Sequence, residues 1–304
     1  MADRVRVFEV GPRDGLQNEP YRLTLSAKIH FINALVNSGI QDIELGAFVR
    51  PDRVPQMADT EQLAAFVRQK KINLKKAHAW FLVPNTQGLK RAIGVGVTHF
   101  AVFTASTETF NQKNIGMSIS ESLKEIQKIV DDIKKMEVHC QVRGYLSTAF
   151  GCPFEGRVKP QKALKLIEKL ANLGICQISI GDTIGVATPS DVTELIKPAL
   201  KILGVKKTAV HFHDTRGVAL ANALRSLDLG VRVMDSSAGG LGGCPFAPGA
   251  SGNLPTEDLV YMLNRMGIDS GVHLESLCRA SLELSRKMNR PLTSRYLQAY
   301  RSQS

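Results

Sequence analysis

The sequence predicts a (β/α)8 barrel, in which eight parallel strands alternate with helices. Three observations predict it. Short runs rich in β-branched residues recur eight times, and amphipathic helical patterns occupy the intervals between them. The chain of 304 residues also exceeds the roughly 250 residues of a typical barrel by enough for one added element. A doubly wound open sheet is the main alternative fold.

The predicted strands are the segments in which β-branched and aromatic residues dominate. They span residues 6–10, 40–46, 76–83, 99–105, 138–146, 176–182, 209–215 and 232–238. Each interval between them is long enough for a crossover connection, which parallel strands require.

Helical patterns fill several of these intervals, at residues 26–39, 118–136, 159–174, 189–203 and 217–230. Three of them end on a glycine directly before the next strand, and Gly39 is the first of these stops. A further pattern at 274–289 follows the last strand. We therefore expect one catalytic domain over 1–304, with the barrel at about 5–268 and a helical extension at about 269–304.

The composition indicates a globular protein of the cytoplasm. Hydrophobic residues make up 43% of the chain, and no apolar run approaches the roughly 18 residues of a spanning helix. The first residues carry charge and resemble neither a signal peptide nor a transit peptide. Five cysteines, an odd number without a C-x-x-C pair, argue against a zinc ribbon or a disulfide scaffold.

The basic surplus does not predict a nucleic-acid partner. The formal net charge is +11, but the basic clusters at 68–76, 134–135 and 206–208 lie between a helix and the following strand. Those turns lie at the bottom of a barrel, opposite the active site. The clusters also lack interleaved aromatic residues, so we expect them to face solvent.

Polar residues collect at the carboxyl ends of the predicted strands, where a barrel places its active site. They are Arg13, Asp14, Glu44, Arg143, Ser147, Ser179, Asp182, His211, His213, Asp214, Asp235 and Ser236. A single aspartate at a strand end more often caps a turn, so the set carries weight only as a group.

The H-x-H motif predicts a metal site. Strand side chains alternate, so His211 and His213 point the same way into the barrel mouth, where a shared cation or mutual hydrogen bonds can satisfy them. Strand 1 neighbours strand 8 in a closed barrel, which brings Asp14 close, and Asn253 ends the loop after strand 8. One carboxylate, two imidazoles and one amide oxygen suit Mg²⁺ or Mn²⁺ better than zinc.

A glycine-rich segment at 239–253 carries Cys244 between a glycine and a proline. Read alone, it is a flexible turn with a buried thiol. Beside the other motifs, it is a loop able to fold over a substrate and bring a thiol to it.

Several long blocks of the sequence read VFEVGPRDGLQNEP, VRGYLSTAFGCPFEG, ISIGDTIGVATP, AVHFHDT and DSSAGGLGGCPFAPGASGN. These blocks resemble the 3-hydroxy-3-methylglutaryl-CoA lyase family, within a wider superfamily of metal-dependent lyases and Claisen-condensing enzymes. The resemblance extends from strand 1 to the C-terminal helix, so it covers nearly the whole chain.

This resemblance implies a barrel enzyme that splits a 3-hydroxy-3-methylglutaryl-CoA thioester into acetyl-CoA and acetoacetate. It implies a metal shell of Asp14, His211, His213 and Asn253. The implied catalytic residues are Arg13 at the thioester carbonyl, Glu44 supporting it, Asp14, His211 and Cys244. The implied substrate-binding residues are Arg13, Gln17, Arg143, Ser179, Asp182 and Asn289. Relatives of this kind are often dimers, so we expect a homodimer.

Two departures from the family pattern concern the acyl group. Ala47 and Arg50 stand where the family usually has serines, and Pro291 stands where some relatives have a lysine. The alternative function is a related lyase or condensing enzyme acting on another 3-hydroxyacyl-CoA or a 2-oxo acid. The candidate cations for the phosphates of coenzyme A lie on strand-to-helix loops: Arg50, Arg53, Lys113 and Arg157.

Overall fold

Eight parallel strands close into a barrel in the computed structural model, which describes residues 4–136, 138–243 and 252–302. The strands are β1 (Arg6–Glu9), β2 (Asp42–Ala47), β3 (His78–Leu82), β4 (His99–Ala105), β5 (Gln141–Ser147), β6 (Gln177–Asp182), β7 (Thr208–Phe212) and β8 (Val233–Ser236). β8 pairs in parallel with β1, from Arg6 opposite Val233 to Glu9 opposite Ser236. This closure confirms the predicted barrel and excludes the open sheet.

Helices surround the barrel and complete each crossover. They are α1 (Leu25–Asn37), α2 (Thr60–Arg68), α3 (Thr86–Gly94), α4 (Glu108–Ile115), α5 (Ile119–Lys134), α6 (Pro160–Asn172), α7 (Pro189–Leu203), α8 (Ala219–Asp228), α9 (Thr256–Arg265), α10 (Leu274–Met288) and α11 (Arg295–Arg301). Side chains at the residue before a helix fix several starts, as Ser118 and Thr188 do in capping boxes with Glu121 and Asp191. A short hairpin (Gly151–Cys152 with Gly156–Arg157) follows β5.

Two predicted strands extend at least two residues beyond the observed carboxyl ends. The run 209–215 ends as β7 at Phe212, and the run 232–238 ends as β8 at Ser236. Beyond Phe212 the chain turns toward α8, where the Asp214 side chain accepts the backbone N–H of Ala219. The His213 N–H still donates to the Asp182 carbonyl of β6 at 3.3 Å, and His213 also forms an isolated antiparallel bridge with Asn253. Side-chain alternation alone could not reveal this added partner.

The hydrophobic core lies between the barrel wall and the helices. Every residue of β2, β6, β7 and β8 is buried, as expected for parallel strands covered on both sides. Inside the barrel, Phe8 and Trp80 pack at a ring-centroid distance of 5.6 Å and fill the lower end. Among the described residues, no helix is both long and apolar enough to cross a membrane.

The C-terminal helices pack on the barrel and reach the loop that follows β8. On α10, Glu283 pairs with His30 of α1 at 2.7 Å. After α10 the chain crosses the carboxyl end of the barrel, where the Thr293 N–H donates to the Gly239 carbonyl at 2.9 Å. The extension therefore fixes one side of the loop that leads toward Cys244.

Candidate metal centre and active site

A cleft of about 320 Å³ opens at the carboxyl ends of the strands. Its lining joins segments that are far apart in sequence: Arg13, Asp14, Gln17, Arg50, Arg53, Tyr145, Ser179, His211, His213 and Gly243 are among the residues that form it. The barrel places these side chains together because all parallel strands end at the same rim.

Three of the predicted metal ligands meet in this cleft. Asp14 lies in a tight π-helical turn, Gly11–Gly15, directly after β1. Its Oδ2 atom is 4.0 Å from Nε2 of both His211 and His213. The ligand atoms of the three residues lie within 4.8 Å of one another, which is a spacing that one cation can bridge.

The Asp14 carboxylate is held in its charged form. Burial favours the neutral acid, but Arg13 and then the two imidazoles stabilise the anion more strongly. Together they hold the pKa of Asp14 well below its usual range. A metal ligand must be deprotonated, so this carboxylate is ready to bind a cation at neutral pH.

Asn253, the fourth predicted ligand, contacts Asp14 through its amide. Its Nδ2 donates to Asp14 Oδ2 at 2.9 Å and to the Leu241 carbonyl at 3.0 Å. Its Oδ1 is buried and has no hydrogen-bond partner among the described residues. A buried amide oxygen without a donor, next to an ionised carboxylate and two imidazoles, fits the donor set of a divalent cation.

Arg13 is clamped between two carboxylates. Its Nε and Nη2 both lie 2.6 Å from Glu44 Oε2, and its Nη1 lies 2.6 Å from Asp14 Oδ1. Burial opposes the guanidinium charge, but Glu44 and then Asp14 outweigh it and raise the pKa of Arg13 further. The cleft therefore contains a permanent cation whose donor fork is fixed beside the metal ligands.

A second buried network starts from His211. Its Nδ1 lies 3.3 Å from Asp235 Oδ2, which also accepts the Ser179 hydroxyl at 2.7 Å. Asp235 Oδ1 pairs with Arg143. Burial opposes ionisation of Asp235, but Arg143 and His211 lower its pKa overall. This contact orients His211 so that Nε2, not Nδ1, faces Asp14.

Tyr145 joins the network of Arg13 and Glu44 to that of Asp235 and Arg143. It was not among the residues predicted from the sequence. Its hydroxyl donates to Glu44 Oε2 at 3.1 Å and accepts from Arg143 Nη1 at 2.9 Å. The sequence did contain a signal for it. Tyr145 lies two residues from both Arg143 and Ser147 on β5, so the three side chains point to the same face, the barrel interior.

Three predicted substrate-binding residues lie in the cleft and three lie elsewhere. Arg13, Gln17 and Ser179 line it. Arg143 lies in the first half of β5, fully buried, with its guanidinium carbon 3.7 Å from the Phe8 ring centroid. It therefore sits beneath the cleft.

The remaining two of those six residues have structural partners. Asp182 accepts the N–H groups of Val186 and Ala187 at 3.0 and 2.8 Å and so caps the turn after β6. Burial raises its pKa to about 6. Asn289 ends α10 in a left-handed conformation and lines a separate surface cleft of about 540 Å³.

Cys244 lies outside the described residues. The described chain on either side reaches the cleft: Gly243 lines it, and the Asn18 amide donates to the Gly243 carbonyl at 2.9 Å. On the far side, Asn253 contacts Asp14.

Two further buried acids, Glu9 and Glu257, hold the backbone of the neighbouring turns; we call them the loop cluster. Glu9 Oε1 accepts the N–H groups of Gly11 at 2.7 Å and Ala238 at 2.9 Å. Glu257 accepts the Gly239 N–H at 2.8 Å. Burial raises the pKa of Glu9 to about 7 and that of Glu257 to about 8. Sequence analysis missed both, because their partners are backbone groups brought in by folding.

The candidate phosphate-binding cations separate into two groups. Arg50 and Arg53 line the cleft, although Arg50 also pairs with Asp52. Lys113 lies over the Phe154 ring at 4.6 Å from its centroid, and Arg157 pairs with acidic residues of α7. Ala47 is buried and donates its N–H to Thr60 Oγ1 at 3.2 Å, away from the residues that line the cleft.

Comparison with known proteins extends over nearly the whole chain. The family model described as HMGL-like matches residues 4–283. The hydroxymethylglutaryl-CoA lyase YngG of Bacillus subtilis is 44% identical over 299 residues, which cover 98% of each chain.

Solved structures agree with the barrel in detail. A crystal structure of the Bacillus subtilis HMG-CoA lyase has a TM-score of 0.93, at 44% identity and 98% coverage of both chains. An HMG-CoA lyase from Acinetobacter baumannii, solved in complex with coenzyme A and 3-methylmalate, has a TM-score of 0.91 at 35% identity. That match covers 98% of this chain and 95% of the other.

Proposed function

The chain belongs to the HMGL-like family and is a carbon–carbon lyase of the hydroxymethylglutaryl-CoA lyase type, and from this premise we propose how its residues work. It cleaves 3-hydroxy-3-methylglutaryl-CoA to acetyl-CoA and acetoacetate in a metal-dependent reaction. The coenzyme A bound to the Acinetobacter baumannii relative supports a CoA thioester as the substrate class. The proposed cation is Mg²⁺ or Mn²⁺, held by Asp14, His211, His213 and Asn253.

One observation carries this assignment: the consecutive residues Arg13 and Asp14 match the two chemical requirements of the reaction. Asp14 Oδ2 lies between two imidazoles, while its Oδ1 pairs with Arg13. A retro-Claisen cleavage needs deprotonation of the C3 hydroxyl at one point and stabilisation of a thioester enolate at another. The pair places a metal ligand and an enolate-stabilising cation side by side.

A cation held by the four proposed ligands would acidify the C3 hydroxyl of the substrate and help to fix the pose of the substrate. Asp14 and His211 are the groups within reach to accept the hydroxyl proton. Asp235 keeps the His211 ring turned toward Asp14, through the 3.3 Å contact at Nδ1. Gln17 and Ser179 line the same cleft and are the proposed polar contacts to the acyl group.

Arg13 stabilises the charge that develops on the thioester oxygen. Its guanidinium is buried and fixed by Glu44 before substrate arrives, so it needs little reorganisation during the reaction. In a site with little water, a fixed charge interacts more strongly than in solution.

Cys244 is the proposed general acid that returns a proton to the acetyl-CoA carbanion. The segments on both sides of it reach the cleft, at Gly243 and at Asn253, which supports this role. We also propose a homodimer of single-domain subunits in the cytoplasm.

The related lyase or condensing enzyme with another acyl substrate is not favoured. The curated relatives at 42–44% identity over nearly full length are HMG-CoA lyases. Of the two departures at Ala47 and Arg50, only Arg50 lines the cleft.

Product analysis tests the function. Purified protein with Mg²⁺ or Mn²⁺ is expected to release acetoacetate and acetyl-CoA from the 3-hydroxy-3-methylglutaryl thioester, and a chelator is expected to stop it. Longer 3-hydroxyglutaryl thioesters, and 2-oxo acids with acetyl-CoA, serve as comparison substrates. Faster turnover of one of these, or full activity in the chelator, would contradict the proposal.

A further inference from the structure

Besides the direct contact between Arg13 and Asp14, the Tyr145 phenol connects the two halves of the active site. Tyr145 donates to Glu44, whose carboxylate holds Arg13, and accepts from Arg143, whose guanidinium holds Asp235. Asp235 in turn contacts His211. The residue proposed for the thioester oxygen and a residue proposed for the metal are therefore joined through one hydroxyl.

The Tyr145 ring also forms part of the cleft lining. The guanidinium carbon of Arg13 lies 5.5 Å from the ring centroid, and the His211 ring meets it edge-on at 6.2 Å. The ring is 7% exposed, so it supports both reactive side chains from below and seals them from the barrel interior.

The hydroxyl is needed as both donor and acceptor. Glu44 Oε1 is buried without a hydrogen-bond partner among the described residues, whereas Oε2 accepts from both Arg13 and Tyr145. Without the phenolic proton, Arg13 alone holds the Glu44 carboxylate in place. Arg143 simultaneously loses an acceptor in a site closed to water, which is costly for a buried donor.

We propose that Tyr145 is a positioning residue for the lyase reaction: it fixes Glu44, and through it the Arg13 fork, at the thioester oxygen. This inference rests on the proposed function. Its action is on geometry in the transition state, so its loss lowers kcat more than it changes KM. A displacement of about 1 Å in such a group lowers rates by roughly 100-fold.

The test compares Tyr145→Phe with wild type in the Mn²⁺-loaded enzyme. We expect kcat to fall by about 10- to 100-fold while KM stays within about threefold. Tyr296→Phe is the matched control, because Tyr296 stacks on Tyr261 among the C-terminal helices, and its kinetics are expected to equal those of wild type. A Tyr145→Phe enzyme with kcat within twofold of wild type, or with its loss confined to KM, overturns the inference.

Two further measurements separate positioning from general damage. Mn²⁺ affinity, titrated without substrate, is expected to stay within about threefold of wild type in Tyr145→Phe. A collapse of that affinity shows that the residue acts on the metal ligands instead, and contradicts the proposal. In the double variant Tyr145→Phe/Glu44→Gln, the loss of kcat is expected to match the larger of the two single losses, since both changes break the same Tyr145–Glu44 contact. A loss equal to the product of the two single losses contradicts the proposal.

A crystal structure of Tyr145→Phe gives a readout independent of activity. We expect the Glu44 carboxylate, and the Arg13 guanidinium paired with it, to shift by about 1 Å from their wild-type positions. An unmoved Arg13 overturns the inference even if the wild-type enzyme proves to act on another substrate. An inactive wild type with a displaced Arg13 in the variant overturns only the proposed function.

Discussion

Two groups of acids lie within the same barrel, and their pKa values shift in opposite directions. In the mouth, Asp14 and Asp235 each contact an arginine, and their pKa values lie below the ordinary value despite burial. In the loop cluster, Glu9 and Glu257 accept only backbone N–H groups and hydroxyls, and burial raises their pKa values to about 7 and about 8.

The comparison shows that a charged partner can outweigh burial for a buried acid, but that it does not do so in every case. Asp235, Glu9 and Glu257 are all almost fully inaccessible to solvent. Arg143 and His211 lower the pKa of Asp235, whereas burial raises the pKa of Glu44 even though Glu44 contacts Arg13. An acid among neutral donors approaches neutrality near pH 7 and serves as a backbone anchor. Four substitutions test this contrast.

The largest effect is expected from Asp14→Asn. The amide keeps the size of the side chain but removes the charge that both imidazoles and Arg13 face. We expect acetoacetate release to fall by at least about 1,000-fold, more than loss of one fixed donor, with a parallel loss of Mn²⁺ affinity. Asp228→Asn, an exposed change at the end of α8, is the control. Mn²⁺ binding equal to wild type would exclude Asp14 as a ligand.

Arg13→Lys should be nearly as severe. Lysine retains the charge but loses the fork that reaches Glu44 and Asp14 together. Loss of such a stabilising donor raises the barrier by about 3–4 kcal/mol, or roughly 100- to 1,000-fold in kcat. Steady-state kinetics measure it, with the exposed Arg279→Lys on α10 as the control. Near-wild-type turnover refutes the role of the fork.

Asp235→Asn should have an intermediate effect. The amide no longer neutralises Arg143 or fixes the His211 ring through a charged contact. Partners of this kind are worth about 10- to 100-fold in metal affinity or activity. Calorimetric titration with Mn²⁺ checks this expectation. Affinity and kcat both within twofold of wild type would mean that the Asp235 charge plays no part in the mouth.

The smallest effect on activity is expected from Glu257→Gln, which instead changes the pH dependence of stability. Burial raises the pKa of Glu257 in the folded protein from its ordinary value of 4.5 to about 8. The folded state therefore binds more protons between these values, and the free energy of unfolding falls as pH rises from about 4.5 to about 8. Glutamine imitates the protonated acid, so the variant should lose less stability across this range.

Urea unfolding at pH 5, 7 and 9 measures that difference. Relative to wild type, the free energy of unfolding of the variant is expected to increase by on the order of 3 kcal/mol between pH 5 and pH 9. Glu168→Gln, on the exposed face of α6, should show no such gain. Parallel curves for wild type and Glu257→Gln would show that this acid is ionised in the fold.

The sequence allowed much of the mouth to be predicted, because its signals are local or follow from barrel closure. Side-chain alternation along a strand predicted that His211 and His213 share one face. Because the first and last strands of a closed barrel are neighbours, Asp14 was expected beside them. The predicted strands were correct in number and order. Each of these inferences needs only the two-residue alternation of side chains along a strand and the strand order of a closed barrel.

Other features of the site could not be predicted, because they depend on which partner a side chain contacts and not only on the position of its backbone. Arg143 was predicted to reach the substrate, but it lies low in β5 and points to Asp235 beneath the cleft. Asp182 turns to the backbone of its own loop. Glu9 and Glu257 find partners across the fold, at backbone N–H groups that carry no sequence signature.

The pairing of β8 with β1 brings residues 13 and 14 to residues 211–253, so the first and last parts of the chain must meet before a cation can be held. During synthesis, a ribosome-bound chain that has not yet emerged past Asn253 lacks one of the four proposed ligands. A cation held by these ligands would then stabilise only the finished barrel, by an amount that grows with its free concentration relative to its dissociation constant. Heating in a chelator should therefore melt the protein earlier than heating in Mn²⁺.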